Sequence, residues 1–173
     1  AGRLSVRGLH AEVTVAAVDE RDVAADGRTV GQGLATVVDG DAAGVEAGDT
    51  FIFNDPYQGG THLNDFRLVR PLMRQGRIFA WLASVGHWLD IGGNVAGGYN
   101  PQATECFQEG VLIPPVKLFR KGVLQQDIVD ILQANTRVPR SNWGDLNGQL
   151  NALDLGERRF HALIDEYGDE VVL

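Results

Sequence analysis

Two histidines and an aspartate, His62, Asp65 and His87, stand in segments otherwise rich in glycine. The first two lie in Gly59-Gly60-Thr61-His62-Leu63-Asn64-Asp65, and the third opens His87-Trp88-Leu89-Asp90-Ile91-Gly92-Gly93. Imidazoles and a carboxylate together suit a divalent ion, and three protein ligands leave positions open for water or substrate. Asp65 lies eleven residues before Gly76 and His87 eleven after it. A hairpin centred on Gly76 sets the two opposite each other, with Cβ atoms about 5 Å apart. His62, in the loop entering the strand, then folds back as a third ligand. A slip of one residue would put Asp65 and His87 on opposite faces. His-x-x-Asp is a loose pattern, so spacing alone equally allows solvated or hydrogen-bonded turn histidines.

Further candidates surround these three. Asp90 is placed to act as a general base, to orient His87, or to cap the glycine loop behind it. Asp55 and Tyr57 are candidates to line the pocket, although Asp55 before Pro56 is also ordinary turn chemistry. Glu109 is a candidate catalytic carboxylate, and with Glu105 it equally makes a solvated face. Cys106 has no base near it in sequence and reads as a small core residue. His10 and His161 read as structural. The glycines at 92–98 match neither GxGxxG nor GxxxxGK[ST], so no nucleotide cradle is expected.

The elements that must position these residues give an α+β reading of a single domain over 1–173. Residues 1–120 form a glycine-rich β part that carries the metal, and 121–173 form a helical part. Strands are expected over 10–18, 29–38 and 50–53. A hairpin joins 66–72 to 78–85 through Arg74-Gln75-Gly76. Residues 111–119 are apolar but contain Pro114-Pro115, so they read as extended rather than as a central strand. Leu124, Ile128, Ile131 and Leu132 share one face of a helix over 124–134. Asp145 is a candidate cap for a second helix, which carries Leu146, Leu150, Leu153, Phe160, Ile164 and Tyr167 and ends at Gly168.

Composition narrows the function classes. A net charge of −8 without a basic run disfavours nucleic acid and anionic membranes. A single cysteine excludes an internal disulfide, and no apolar run reaches the roughly 18 residues of a membrane span. With no signal-peptide pattern at Ala1, a processed or cut start and a soluble cytoplasmic protein are expected.

Four blocks in order resemble the hydantoinase B/5-oxoprolinase family, which includes the alpha subunits of acetone and acetophenone carboxylases. They are Gly48-Asp49-Thr50-Phe51-Ile52-Phe53-Asn54-Asp55-Pro56-Tyr57 running on to Asp65, then His87 to Gly93. Gln108-Glu109-Gly110 running on to Leu118 is the third, and Asn135-Thr136-Arg137-Val138-Pro139 followed by Gly144-Asp145-Leu146 is the fourth. The resemblance implies a divalent metal on His62, Asp65 and His87, with manganese or zinc ahead of iron. It implies ATP on a hydantoinase A-like partner, which activates a carbonyl or amide oxygen, and hydrolysis of a cyclic amide such as a hydantoin or lactam. ATP-dependent carboxylation is the alternative within the family. Family chains are longer, so a further chain supplying the missing C-terminal part is a second expected partner. Family members usually carry a histidine-glycine motif where this chain has Val30-Gly31-Gln32-Gly33-Leu34. Outside this enzyme reading stand a mononuclear iron oxygenase, because two histidines and a carboxylate also make a facial triad, and a non-catalytic assembly subunit.

Overall fold

A computed structural model describes residues 3–7, 12–17, 44–58, 62–168 and 172; the strand expected over 29–38, the segment from Val30 to Leu34, and His10 lie outside them. Seven described strands form one sheet: β1 (Arg3–Arg7), β2 (Glu12–Ala17), β3 (Thr50–Phe53), β4 (Asp65–Arg74), β5 (Arg77–His87), β6 (Val116–Arg120) and β7 (Val123–Leu124). Their order is β1-β2-β5-β4-β3-β6-β7, and every neighbouring pair is antiparallel. Two helices follow, α1 (Gln126–Ala134) and α2 (Pro139–Tyr167). The combination of an antiparallel sheet with helices is the expected α+β class. Among the described residues, no helix is long and apolar enough to cross a membrane.

The long hairpin β4–β5 is the centre of the sheet. Gln75 and Gly76 have φ of 51° and 76°, so Arg74 and Arg77 are joined by a two-residue turn of the primed kind that matches strand twist. The turn is one residue shorter than the three-residue connection expected from Arg74-Gln75-Gly76. Left alone, it would shift the far end of the ladder by one. A bulge corrects this: Leu72 pairs with Ala80 but Met73 with Ile78, so Phe79 is the extra residue. Phe79 and Ala80 both turn toward the helices, where Phe79 packs against Phe160 at a ring distance of 6.0 Å. Beyond the bulge the register brings Asp65 opposite His87, the pairing that the spacing predicts.

Both faces of β3, β4 and β5 are apolar. Ile52, Leu68, Leu72, Ala80, Leu82 and Leu118 meet Val129 and Leu132 of α1 and Leu146, Leu153, Phe160 and Ile164 of α2. Phe51, Phe53, Val69, Trp81 and Ala83 form a second cluster on the opposite face. Asp65 and His87 share the alternation of this second face, so the candidate ligands stand on the side away from the helices.

Four expectations need correction. Pro114-Pro115 delays the strand without preventing it: β6 starts at Val116 and lies inside the sheet, between β3 and β7. Leu124 belongs to β7, because Lys121-Gly122 makes a second tight turn, and the helix begins at Gln126. The buried face of α1 centres on Val129 and Leu132, while Ile131 is half exposed. Asp145 does not cap α2, which starts earlier with Pro139 in its first turn, where the missing N–H costs nothing. Gly168, with φ of 84°, ends that helix and donates to the Ile164 carbonyl at 2.8 Å, as expected of a terminal glycine.

Candidate metal centre

The turn that brings His62 to Asp65 is short and well anchored. Asp65 N donates to the His62 carbonyl at 3.1 Å, which closes a four-residue turn and puts both side chains on one side. Leu63 within it is buried. Buried Asn54 donates to the carbonyls of Leu63 at 2.8 Å and Val111 at 2.7 Å, while its Oδ1 accepts from Ile113 N at 2.6 Å. The Asn54-Asp55-Pro56 sequence therefore reads as a turn, but Asn54 works as a staple between three segments. On the other strand, Trp88 N donates to the Asn64 carbonyl at 2.9 Å and Asn64 Nδ2 donates to the Trp88 carbonyl at 2.8 Å. These bonds fix the chain just before Asp65 to the chain just after His87.

The helix side holds the same strand ends from behind. Gln149 of α2, 2% exposed, donates to the Phe66 carbonyl at 3.0 Å and accepts from Trp88 Nε1 at 3.0 Å. The Trp88 ring stacks on Phe66 with centroids 4.0 Å apart. Gly86 makes the approach of Gln149 possible, since a Cβ there would lie 2.6 Å from the Gln149 amide carbon. Each of these contacts falls on a residue adjacent to Asp65 or His87.

With the backbone so held, one atom of each of His62, Asp65 and His87 falls within 4.8 Å of the other two. His87 Nδ1 lies 2.9 Å from Asp65 Oδ1, and His62 Nδ1 lies 3.3 Å from Asp65 Oδ2. The two imidazoles stand edge to face with centroids 4.9 Å apart. Two donors on one ion at about 2.1 Å sit roughly 3.0 to 3.4 Å apart at angles between a right angle and the tetrahedral value. The donor set suits a divalent ion, with the two imidazoles meeting different oxygens of Asp65 and the three ligand atoms within 4.8 Å of one another. The Asp65 side chain is 13% exposed, against 53% for His62 and 63% for His87, so the centre opens to solvent on its histidine side.

Asp90 belongs to a different network. Its carboxylate accepts from Gly92 N and Gly97 N at 2.9 Å each and from Arg137 N at 3.2 Å, and it pairs with the Arg137 guanidinium at 3.1 Å. Arg137 also donates to the carbonyls of Gly92 at 3.0 Å and Gly93 at 2.7 Å. Thr136 Oγ1 and Asn142 Nδ2 bind the Asp90 carbonyl at 2.6 and 2.7 Å. Burial pushes the Asp90 carboxyl up, but the N–H groups of Gly97, Gly92 and Arg137 and the guanidinium outweigh it and hold the carboxyl at about 2. Of the three roles open from sequence, the cap of the glycine loop is the geometry observed. Arg137, which locks that loop, had no signal in the sequence beyond its place in a motif.

The remaining candidates are more peripheral. Asp55 is buried and Oδ1 accepts from Tyr57 N at 2.9 Å, ordinary turn chemistry. Tyr57 is 81% exposed, and Glu109 ends a short 3-10 turn, Cys106–Gln108. Cys106 packs against the main core, as expected, and Glu105 is exposed. Arg67 was not singled out from sequence, yet it is 3% exposed beside Asp65. Burial pulls its guanidinium down from the ordinary value, and the Asp65 carboxylate acts the other way.

Comparison with known proteins gives the family and the fold. The family model described as hydantoinase B/oxoprolinase matches residues 14–173. Caprolactamase subunit beta of Pseudomonas jessenii is 40% identical over 128 residues, covering 74% of this chain and 22% of that subunit. The crystal structure of the ATP-dependent caprolactamase from Pseudomonas jessenii superposes with a TM-score of 0.79 at 32% identity, over 90% of this chain and 28% of the other. A nucleotide-free acetone carboxylase has the same fold, with a TM-score of 0.77 at 23% identity, over 83% of this chain and 19% of the other. The chain thus spans about a quarter of the length of these relatives.

Proposed function

The chain belongs to the hydantoinase B/oxoprolinase family, and from that premise we propose that it is the metal-binding part of an ATP-dependent hydrolase of cyclic amides. The observation that carries this reading is the convergence of His62, Asp65 and His87 at the open end of the β4–β5 hairpin. Neutral imidazoles of His62 and His87 and the carboxylate of Asp65 hold the ion, with manganese or zinc preferred to iron for this nitrogen and oxygen set. When bound, the ion supplies Lewis acidity to a carbonyl oxygen and orients water. Asp90 acts as the joint of the glycine loop and not as a base, since its oxygens are engaged by Gly92, Gly97 and Arg137 and a carboxyl held at about 2 is a weak proton acceptor. Asp55, Tyr57 and Glu109 are the candidates for lining the substrate pocket.

The glycines at 92–98 match no nucleotide-binding fingerprint, and on this reading ATP is held by a hydantoinase A-like partner that activates the amide, the pair working in the cytoplasm. A further chain, or a further part of this one, completes the region by which the relatives are longer.

Elemental analysis tests the reading directly. About one divalent ion per chain is expected, with loss in His62→Ala and His87→Ala; equal metal in all three samples sinks the assignment. Co-expression with an A-type partner should give ATP-dependent lactam hydrolysis, while the isolated chain binds no ATP in calorimetry. Bicarbonate incorporation in place of hydrolysis would move the chain to the carboxylase branch.

A further inference from the structure

Arg67 stands two residues along β4 from Asp65, on the same face, and is 3% exposed. Its Nη1 donates to the Asp65 carbonyl at 3.1 Å, which turns the guanidinium back toward the candidate centre. Its Nε is buried and has no acceptor among the described residues. Its cross-strand neighbours are Phe53 and Val85, which offer no side-chain acceptor. A buried cation with an unmet donor is costly unless something negative meets it. The nearby carboxylate is Asp65, and both of its oxygens already face imidazole nitrogens.

Charge makes the gap larger once an ion is present. Asp65 then faces a divalent cation and the Arg67 guanidinium together, and a partly buried setting screens this excess poorly. An anionic ligand would cancel it. The planar fork of arginine suits an oxyanion better than any other partner, because two parallel N–H donors meet two oxygens.

We propose that Arg67 is the anion subsite of this centre, holding a phosphoryl or carboxylate oxyanion of the substrate beside the ion bound by His62, Asp65 and His87. The proposal rests on the metal reading above and deepens it, by stating what stands beside the ion on the buried side of Asp65.

Calorimetric titration of inorganic phosphate into the metal-loaded full chain, with acetate as a second arm, tests the proposal against Arg67→Met. The wild type should bind an oxyanion. Arg67→Met should bind it about tenfold or more weakly, with metal content unchanged. Phosphate tighter than acetate assigns the phosphoryl group, and the reverse assigns a carboxylate. Equal affinity in the two proteins, or no binding of either anion by the wild type, overturns the proposal. Should Arg67→Met fail to fold, the Arg67 Nε–H resonance of the wild type decides: it should shift on adding the anion, and an unmoved resonance overturns the subsite. If the chain takes up no metal, the same titration is made without it. Binding that depends on Arg67 then keeps the anion subsite and sinks the metal reading, whereas binding indifferent to Arg67 sinks both.

Discussion

Asp65 and Asp90 are both carboxylates beside glycine-rich loops, and they have opposite surroundings. Every contact of Asp90 comes from the chain itself: three main-chain N–H groups and one guanidinium close around it. Asp65 is met by two largely exposed imidazoles, with a buried guanidinium behind it whose Nε has no acceptor among the described residues. The first arrangement is complete as it stands. The second sets a carboxylate between two solvent-exposed imidazoles and a buried guanidinium. The difference teaches that a carboxylate enclosed by main-chain N–H groups marks a joint, whereas one met by two exposed imidazoles is the candidate for a ligand's place.

The sharpest way to break the comparison is to exchange the two effects with one substitution each. Asp65→Asn should cost about a hundredfold or more in metal affinity and leave the unfolding transition nearly in place. Asp90→Asn should keep metal stoichiometry in the folded protein and lose about 2 to 3 kcal/mol of stability. Metal titration and urea unfolding of both variants measure this. A metal loss as large for Asp90→Asn as for Asp65→Asn would merge the two regions into one site.

Acid separates them next. The folded Asp90 carboxyl is depressed to about 2, so its contribution is present above the ordinary carboxylate range and is lost as pH falls through that range toward 2. Metal leaves for another reason, because imidazoles must shed protons to ligate. On acidification, metal release followed by dialysis should therefore precede the loss of stability that Asp90→Asn no longer shows. Coincident transitions would argue that the metal supports the fold.

The smallest effect concerns the clamp behind the strands. Gln149→Met removes the bonds to the Phe66 carbonyl and Trp88 Nε1 without removing bulk. It should lower metal affinity about tenfold. Gly86→Ala should do the same by pushing Gln149 away. The manganese resonance spectrum gives a readout that general destabilisation does not move. An unchanged spectrum and affinity would confine Gln149 to the core.

The count from Gly76 names the right partners, Asp65 and His87, but the turn is centred between Gln75 and Gly76, and the register is restored by the bulge at Phe79, which no residue pattern announces. The α+β class and the end of α2 at Gly168 were legible, since periodicity and glycine chemistry are local. The start of α2 was not, because Asp145 is as good a cap in isolation as Pro139 is a first-turn residue, and packing of Asn142 under the Asp90 carbonyl decides between them. Arg67 and Gln149 were invisible for a different reason. What matters about them is burial and partnership across the sheet, with Gln149 reaching Phe66 from 83 residues away in sequence, and no pattern of residue types announces either.

The bulge at Phe79 gives the hairpin a memory of parity. The turn contributes an even connection and the extra residue restores the odd one, so the tip and the far end of the ladder are related by a count and not by a shape. Insertion of one residue in the turn with loss of the bulge, or the reverse exchange, leaves Asp65 facing His87. A lineage can therefore rebuild the tip of this hairpin through paired length changes without disturbing the ligands at its base. A single uncompensated change turns every ligand on one strand to the other side of the sheet. Length variation among descendants of this chain should accordingly come in compensating pairs at the two positions, tip and bulge, and selection would read the pair as one site.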